Sequence, residues 1–336
     1  MKKDAWKSLS KICKNDCGKS ICLIIGAGIH NLPGEHRKLA KGVSTALHQL
    51  RSWDAFLQKL FPLSIKHPLI PPTVHFEMEC LKKSSDLSAR ETEIKYLKLA
   101  SDKIQKLEEC ALTQSQAYEP LVALCGSNLV SDIISLNIDL VCESLLLANK
   151  KIPDPKHIEN IKRHRMIAGR RIWHPHGDWQ TPQNIHLSLR EYSKSLAQVE
   201  KHRENFKARE RTNADFTQNS SRSWVDLFQQ CHLIFIGTSV SPSEYDLWFA
   251  LINRFRNFAK KENKLHEPKT FVLTKPCDHG HFPSNILRLE EASYCLAWNR
   301  IVKVMNPESC SGGLRPPSEK DSCCKLGSHR EPLKKI

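Results

Sequence analysis

ICLIIGAGIH (21–30) is the stretch from which the architecture of this chain can be read. Ile21, Cys22, Leu23, Ile24 and Ile25 run on with no polar alternation, as a strand buried on both faces does in a parallel sheet. The run breaks at Gly26-Ala27-Gly28, where a strand end would turn into a following helix. The same design recurs. IISLNIDL (133–140) ends in an Asn and an Asp, IWHPHGDW (172–179) in a His beside a Gly, and HLIFIGTSVSP (232–242) in Gly-Thr-Ser. Each is an apolar strand that breaks into small or polar residues at one end.

Between these strands the pattern is helical. Residues 1–20 read as an amphipathic helix and a turn. Leu39, Val43, Leu47 and Leu50 recur at helical spacing, and Ser88 with Glu91 is a capping-box signal opening a helix through Ile94, Leu97, Ile104 and Leu107. The Pro-rich stretch 61–72 interrupts these helices. The region 36–125 is long for a plain crossover and reads as a helical insertion. Further on, 132–137, 170–174, 232–237, KTFVLTKP (269–276) and RIVKVM (300–305) are predicted strands, the last closing the sheet. Helices are predicted after 139, over 188–211, at SWVDLFQQ (223–230) and over 243–262, with a polar loop at 212–223. Strands alternating with helices predict an α/β fold, a Rossmann-like, doubly wound and mostly parallel sheet. The domain spans 1–306, and 307–336, poor in apolar residues, is expected to be a disordered tail.

Composition bounds the function. The 336 residues are 40% hydrophobic and 26% charged, as in an ordinary globular protein. No apolar run approaches the roughly 18–20 residues of a membrane span, and no signal-peptide core follows the basic N-terminus. Thirteen irregularly spaced cysteines fit reduced thiols and a cytoplasmic location. The net charge of +15 suits an anionic ligand or partner. Clusters such as KRHR (162–165) and KHRENFKARER (201–211) are modest and read as solvated helix faces. Nucleic acid is compatible with the charge but not specifically indicated.

The candidate residues each carry two readings. Gly26, Ala27 and Gly28 either let a backbone approach a phosphate-bearing ligand or make a tight turn, and the third glycine of a dinucleotide fingerprint is missing. Asn137 can orient a sugar hydroxyl or a water. Asp139 can accept from hydroxyls, or it can cap the next helix. His176, with an ordinary pKa of about 6.5, is a candidate general base or a structural histidine. His174 reads as structural. Gly237, Thr238 and Ser239 offer hydroxyls to a ligand or cap a helix. Gly18-Lys19-Ser20 is no P-loop, because it precedes a strand instead of following one. Cys277-Asp278-His279-Gly280-His281 has no partner pair at zinc spacing and reads as a surface loop.

In this order the segments resemble the sirtuin superfamily: Gly26-Ala27-Gly28, Leu136-Asn137-Ile138-Asp139, His176-Gly177 and Gly237-Thr238-Ser239. The resemblance covers about 20–305 at four anchors. Two departures stand out. Deacylase sirtuins carry two zinc-binding Cys-x-x-Cys pairs after the His-Gly, whereas this chain has no cysteine between Cys142 and Cys231. His30 replaces the usual Ser after the glycines, and Leu32-Pro33-Gly34-Glu35-His36-Arg37 stands for a longer Gly-Ile-Pro-Asp-Phe-Arg stretch. These departures look like the zinc-less bacterial sirtuin-like NAD+ hydrolases of anti-phage defence, which also carry helical insertions.

The resemblance implies NAD+ as substrate, no zinc or other metal site, and nicotinamide and ADP-ribose as products. Asn137 would position the ribose and attacking water, and His176 would accept a proton. Asp139 would hold the nicotinamide-side amide or support Asn137. Gly26, Ala27 and Gly28, with Gly237, Thr238 and Ser239, would bind the diphosphate and the adenosine-side ribose. A homo-oligomer or a separately encoded regulatory partner is expected to restrain the activity. NAD+-dependent protein deacylation and a non-catalytic NAD+ or ADP-ribose sensor are the alternatives.

Overall fold

The computed structural model describes residues 4–15, 20–32, 39–61, 70–84, 88–148, 150–157, 159–211, 223–238, 244–259, 267–274, 283 and 285–306. Ser239, the 277–281 segment, the polar stretch 212–222 and the tail 307–336 lie outside these residues.

Seven strands form one sheet: β1 (Ile21–Ile25), β2 (Val130–Ser135), β3 (His164–Ile167), β4 (Arg170–Trp173), β5 (His232–Ile236), β6 (Thr270–Thr274) and β7 (Ile286–Glu290), in the order β3-β4-β2-β1-β5-β6-β7. All pairs are parallel except β3–β4. The sheet grows from β1 through β2 to β4 in one direction. It then restarts at β5 on the other side of β1. The ends of β1, β2 and β5 therefore meet at a topological switch point, where open α/β sheets bind ligands. In register, Ile25 stands between Ser135 and Ile236, so all three strands end level.

Strand alternation sorts the two faces. Leu23, Ile25, Ile133, Ile234 and Ile236 pack against α1 (Ala5–Asn15), α6 (Glu119–Cys125) and α11 (Tyr294–Met305). Cys22, Ile24, Ile134, Leu233 and Phe235 pack against α8 (Leu189–Arg211), α9 (Trp224–Gln230) and α10 (Tyr245–Phe258). Between β1 and β2 stand α2 (Lys41–Arg51), α3 (Trp53–Leu60), α4 (Pro72–Lys82) and α5 (Ala89–Leu112). The expected capping box opens α5, with Ser88 and Glu91 bonded reciprocally. Helices α3, α4 and α5 build a core of their own from Phe56, Phe61, Phe76, Leu97 and Ile104. That core closes on Ile138, Ile185 and Leu187 at the sheet's end. A short helix α7 (Val141–Leu146) follows β2. Among the described residues no helix is long and apolar enough to cross a membrane.

The structure corrects two expectations. RIVKVM is the end of α11, not a strand. Ala297, Trp298, Ile301 and Met305 recur at helical spacing on its buried side, and Ser293 caps it by accepting from Leu296 N. The sheet closes at β7 instead. KRHR is no solvated helix face. It enters β3, which reaches β4 through a turn with positive φ at Ala168 (48°) and Gly169 (77°), as a two-residue hairpin requires. Arg163 and Arg165 are both buried and bond Asp178 Oδ2 at 2.7 and 2.8 Å.

Candidate functional site

The turn after β1 is a short 3₁₀ helix, Ala27–Asn31, and its glycines are demanded by the neighbouring chain. Gly26 N donates to Ile236 O at 2.9 Å and Gly28 N to Gly237 O at 2.6 Å. A Cβ on Gly28 would stand 2.7 Å from Gly237 O, and one on Gly26 would stand 2.5 Å from the Thr238 Cβ. Gly237 itself has φ of +66°, a left-handed conformation that suits glycine. The β1 and β5 turns thus rest on each other backbone to backbone. The Gly28 amide is already committed to Gly237.

Above this floor lies a cleft lined by Ala27, Asn137, Ile138 and Asp139 from the strand ends and by Gln49, Leu50, Phe56 and Ile104 from α2, α3 and α5. Ala27, Asn137 and Asp139, singled out from three short motifs, therefore share one cavity. The helices between β1 and β2 supply its other wall. Gln49 was not anticipated, because its signal lies only in the packing of α2 on the sheet's end. Its Oε1 is buried and has no hydrogen-bond partner among the described residues, which suits an N–H donor of a ligand.

Asn137 is held through its backbone. His174 Nδ1 donates to the Asn137 carbonyl at 3.0 Å, and His174 Nε2 lies 2.5 Å from Glu143 Oε1. His174 is fully buried, and burial opposes its charge while Glu143 raises its pKa. It is the structural histidine expected. Asp139 Oδ1 accepts Val141 N at 3.2 Å, the bond of an Asx turn into α7. Its Oδ2 is 3.1 Å from His30 Nε2, and His30 Nδ1 is 2.9 Å from the Tyr118 hydroxyl. Burial works against the Asp139 charge, but His30 and the Val141 amide hold its pKa below the usual value.

His176 is placed by the tight loop after β4. Gly177 has φ of +78°, and a Cβ there would lie 2.1 Å from Asn184 O. The His176 ring bonds the Leu136 carbonyl, one residue from Asn137, but His176 is not among the residues lining the cleft. Its Nε2 faces Asp246, with Oδ2 at 3.2 Å, and Glu244 Oε2 at 3.6 Å. Burial disfavours its charge, but Asp246, Glu244 and the Leu136 carbonyl outweigh this and raise its pKa to about 9. The ring is a cation at neutral pH, not the free base its ordinary pKa would suggest.

Around it, burial and the His176 charge push His186 down to about 3, so His186 is neutral. Asp246 is depressed to about 2, because His176 and the Ser195 hydroxyl outweigh its burial. The ligand atoms of His176, Glu244 and Asp246 converge within 4.8 Å, the geometry of a three-ligand metal set. Here the imidazolium supplies the positive charge that a metal would bring, so the cluster reads as an ion-pair network. Glu244 and Asp246 were missed in the sequence because they open α10, beyond any motif.

The helices also grip the loop bearing His176. Glu108 of α5 accepts Leu140 N and Trp179 Nε1, both at 2.7 Å, and the Ser144 hydroxyl at 3.0 Å. Burial and nearby Asp139 raise its pKa to about 7 against these three donors.

With cleft, Asn137, Asp139 and His-Gly loop in view, comparison with known families becomes specific. Residues 131–293 match the SIR2-like domain family. The match spans Asn137, Asp139, His176, Gly237 and Thr238, and it supports a relationship to the sirtuin-like superfamily. The seven-stranded, mostly parallel sheet is consistent with a SIR2-like fold. NAD+-related activity is what the SIR2-like domain suggests in general. No curated protein matches the chain. After the His-Gly the sequence has no cysteine before Cys231.

Proposed function

We propose that this SIR2-like chain is an NAD+ hydrolase that cleaves the bond between nicotinamide and ribose. The observation that carries the reading is the convergence of Ala27, Asn137 and Asp139 on one cleft at the switch point of the sheet. The nicotinamide ring of NAD+ is cationic and leaves with the bonding electron pair as a neutral amide. The protein need only stabilise an oxocarbenium-like ribose and deliver water. The side chain of Asn137 positions the ribose and that water. The water oxygen bonds the anomeric carbon, and its proton leaves through a ribose hydroxyl or solvent relay toward His176, which stands outside the cleft and accepts it once that ring has lost its own. Asp139 faces the nicotinamide end, and the β1 and β5 turns, with Thr238, face the diphosphate and distal ribose; Ser239 is assigned to the same end from the sequence alone. The products are nicotinamide and ADP-ribose.

The absent zinc cysteines favour this chemistry over deacylation and agree with the anti-phage branch of the family. In a cytoplasmic setting, self-assembly or a separately encoded partner would restrain the activity. A second reading, a non-catalytic NAD+ sensor, is favoured by one observation: His176 is charged and engaged by Asp246 and the Leu136 carbonyl.

Purified protein incubated with NAD+ releases nicotinamide on the first reading, and Asn137→Ala and His176→Ala abolish release. Turnover that survives both substitutions overturns the site assignment. Binding of NAD+ without turnover selects the sensor.

A further inference from the structure

The sequence singles out His30 only as a departure, a histidine where related proteins carry serine. In the structure it is the middle member of a buried chain, Tyr118–His30–Asp139. Tyr118 is fully buried and His30 is 1% exposed. Burial and the neighbouring Asp139 raise the Tyr118 pKa, so its hydroxyl keeps its proton and can donate. With a proton on Nε2, His30 accepts the Tyr118 hydroxyl at Nδ1, 2.9 Å away, and donates to Asp139 Oδ2, 3.1 Å away. Asp139 Oδ1 is fixed separately by Val141 N at 3.2 Å. Each carboxylate oxygen thus has one anchor, which sets the plane of the group and leaves further lone pairs for the cleft it lines.

His30 and the cleft-lining Ala27 share the same 3₁₀ turn. Tyr118 closes a second 3₁₀ turn, Ser115–Tyr118, between α5 and α6. The orientation of Asp139 is therefore set jointly by the turn after β1 and by the end of the helical region.

We infer that His30 is a positioning residue of the cleft, acting through Asp139, with the Tyr118 hydroxyl fixing its tautomer and ring. The inference rests on the reading of the cleft as the NAD+ site. His30 holds the carboxylate in one orientation, ionised, toward the ligand's cationic or N–H-bearing end. A serine at this position would have too short a side chain to bridge Tyr118 and Asp139.

The test is a double-mutant cycle of His30→Ala and Asp139→Asn, read by NAD+ affinity in calorimetry and by nicotinamide release, with cooperative thermal melts to verify folding. Each single variant is expected to weaken NAD+ binding about tenfold, and the double variant to be no weaker than either. His30→Gln, which keeps an N–H for Asp139, is expected to recover most of the loss. In His30→Ala the acid limb of the affinity profile moves to higher pH, because Asp139 has lost the partner that lowers its pKa. Tyr118→Phe removes one oxygen, and its expected loss of about threefold carries the test should His30→Ala fail to fold. Additive losses in the cycle, an unmoved acid limb, or full affinity in both His30→Gln and Tyr118→Phe with no loss in His30→Ala would overturn the inference while leaving the NAD+ reading intact. A wild-type protein that neither binds nor cleaves NAD+ overturns both.

Discussion

His176 Nε2 lies 3.2 Å from Asp246 Oδ2, and the same carboxylate oxygen accepts the Ser195 hydroxyl at 2.8 Å. Asp246 is thus the counter-ion of a buried imidazolium, and it decides when that ring can take up a proton from elsewhere.

If His176 accepts a proton during hydrolysis, kcat/KM rises with pH toward a midpoint near 9, its raised pKa. Asp246→Asn removes the main attraction holding the proton, so the midpoint should fall. A profile that stays in place in Asp246→Asn would detach His176 from the rate.

The same pair makes stability pH-dependent. The folded pKa of His176 is raised from 6.5 to about 9, so its contribution is complete below about 6.5 and is lost as pH rises through 9. Thermal melts between about pH 6 and about pH 10 should show Tm falling in the wild type. Asp246→Asn should start lower and fall less.

Glu108 shifts stability in the same direction with pH, but because its charged form is the disfavoured one. Its pKa is raised from 4.5 to about 7, so ionisation opposes folding, and stability declines as pH rises through that interval. Glu108→Gln keeps an acceptor for Leu140 N and Trp179 Nε1, and its amide can donate to Ser144. We expect the variant to match wild type near pH 5 and to exceed it at pH 8 by on the order of 2–3 kcal/mol, measured by urea unfolding. Equal stabilities at pH 8 would show that the three donors fully offset the charge.

At the glycine contact, a methyl group has nowhere to go. Gly28→Ala would set its Cβ 2.7 Å from a backbone oxygen, and Gly237→Ala would add a side chain at φ of +66°. Each is expected to destabilise by roughly 1–3 kcal/mol in denaturant unfolding. Full stability in either would mean that the two turns do not rest on each other.

Gln49 reports on the cleft's helical wall. Gln49→Ala removes a buried acceptor without a partner, so the free protein should lose little stability. NAD+ affinity should drop severalfold in calorimetry. Unchanged affinity would place the ligand away from α2.

The sheet was legible because β1 and β5 are apolar runs that end in a glycine, and Ile133 and Ile134 of β2 lead into an amide at Asn137. Asn137 and Asp139 were legible because they close such a run. Helix α11 misled, since Ile301, Val302 and Val304 form a β-branched run whose helical spacing shows only when read from Ala297. The burial of Arg163 and Arg165 was hidden, because only folding brings Asp178 to them. The state of His176 was hidden for a similar reason: its neighbours in sequence are Pro175 and Gly177, whereas the groups that charge it, Asp246 and Glu244, lie about seventy positions away. Local pattern reveals which residues stand at a strand end. It does not reveal what stands opposite them.

The backbone contact between the β1 and β5 turns extends into the helical layer. Gly26 and Gly28 are tied by their amides to Ile236 and Gly237, and β5 shares one apolar layer with α10 through Phe235 and Leu247. The first turn of α10 carries Asp246, the counter-ion of His176. Ala27 on the cleft and Asp246 beside His176 thus belong to one continuous run of bonded and packed backbone, and neither turn can shift without its neighbour giving way.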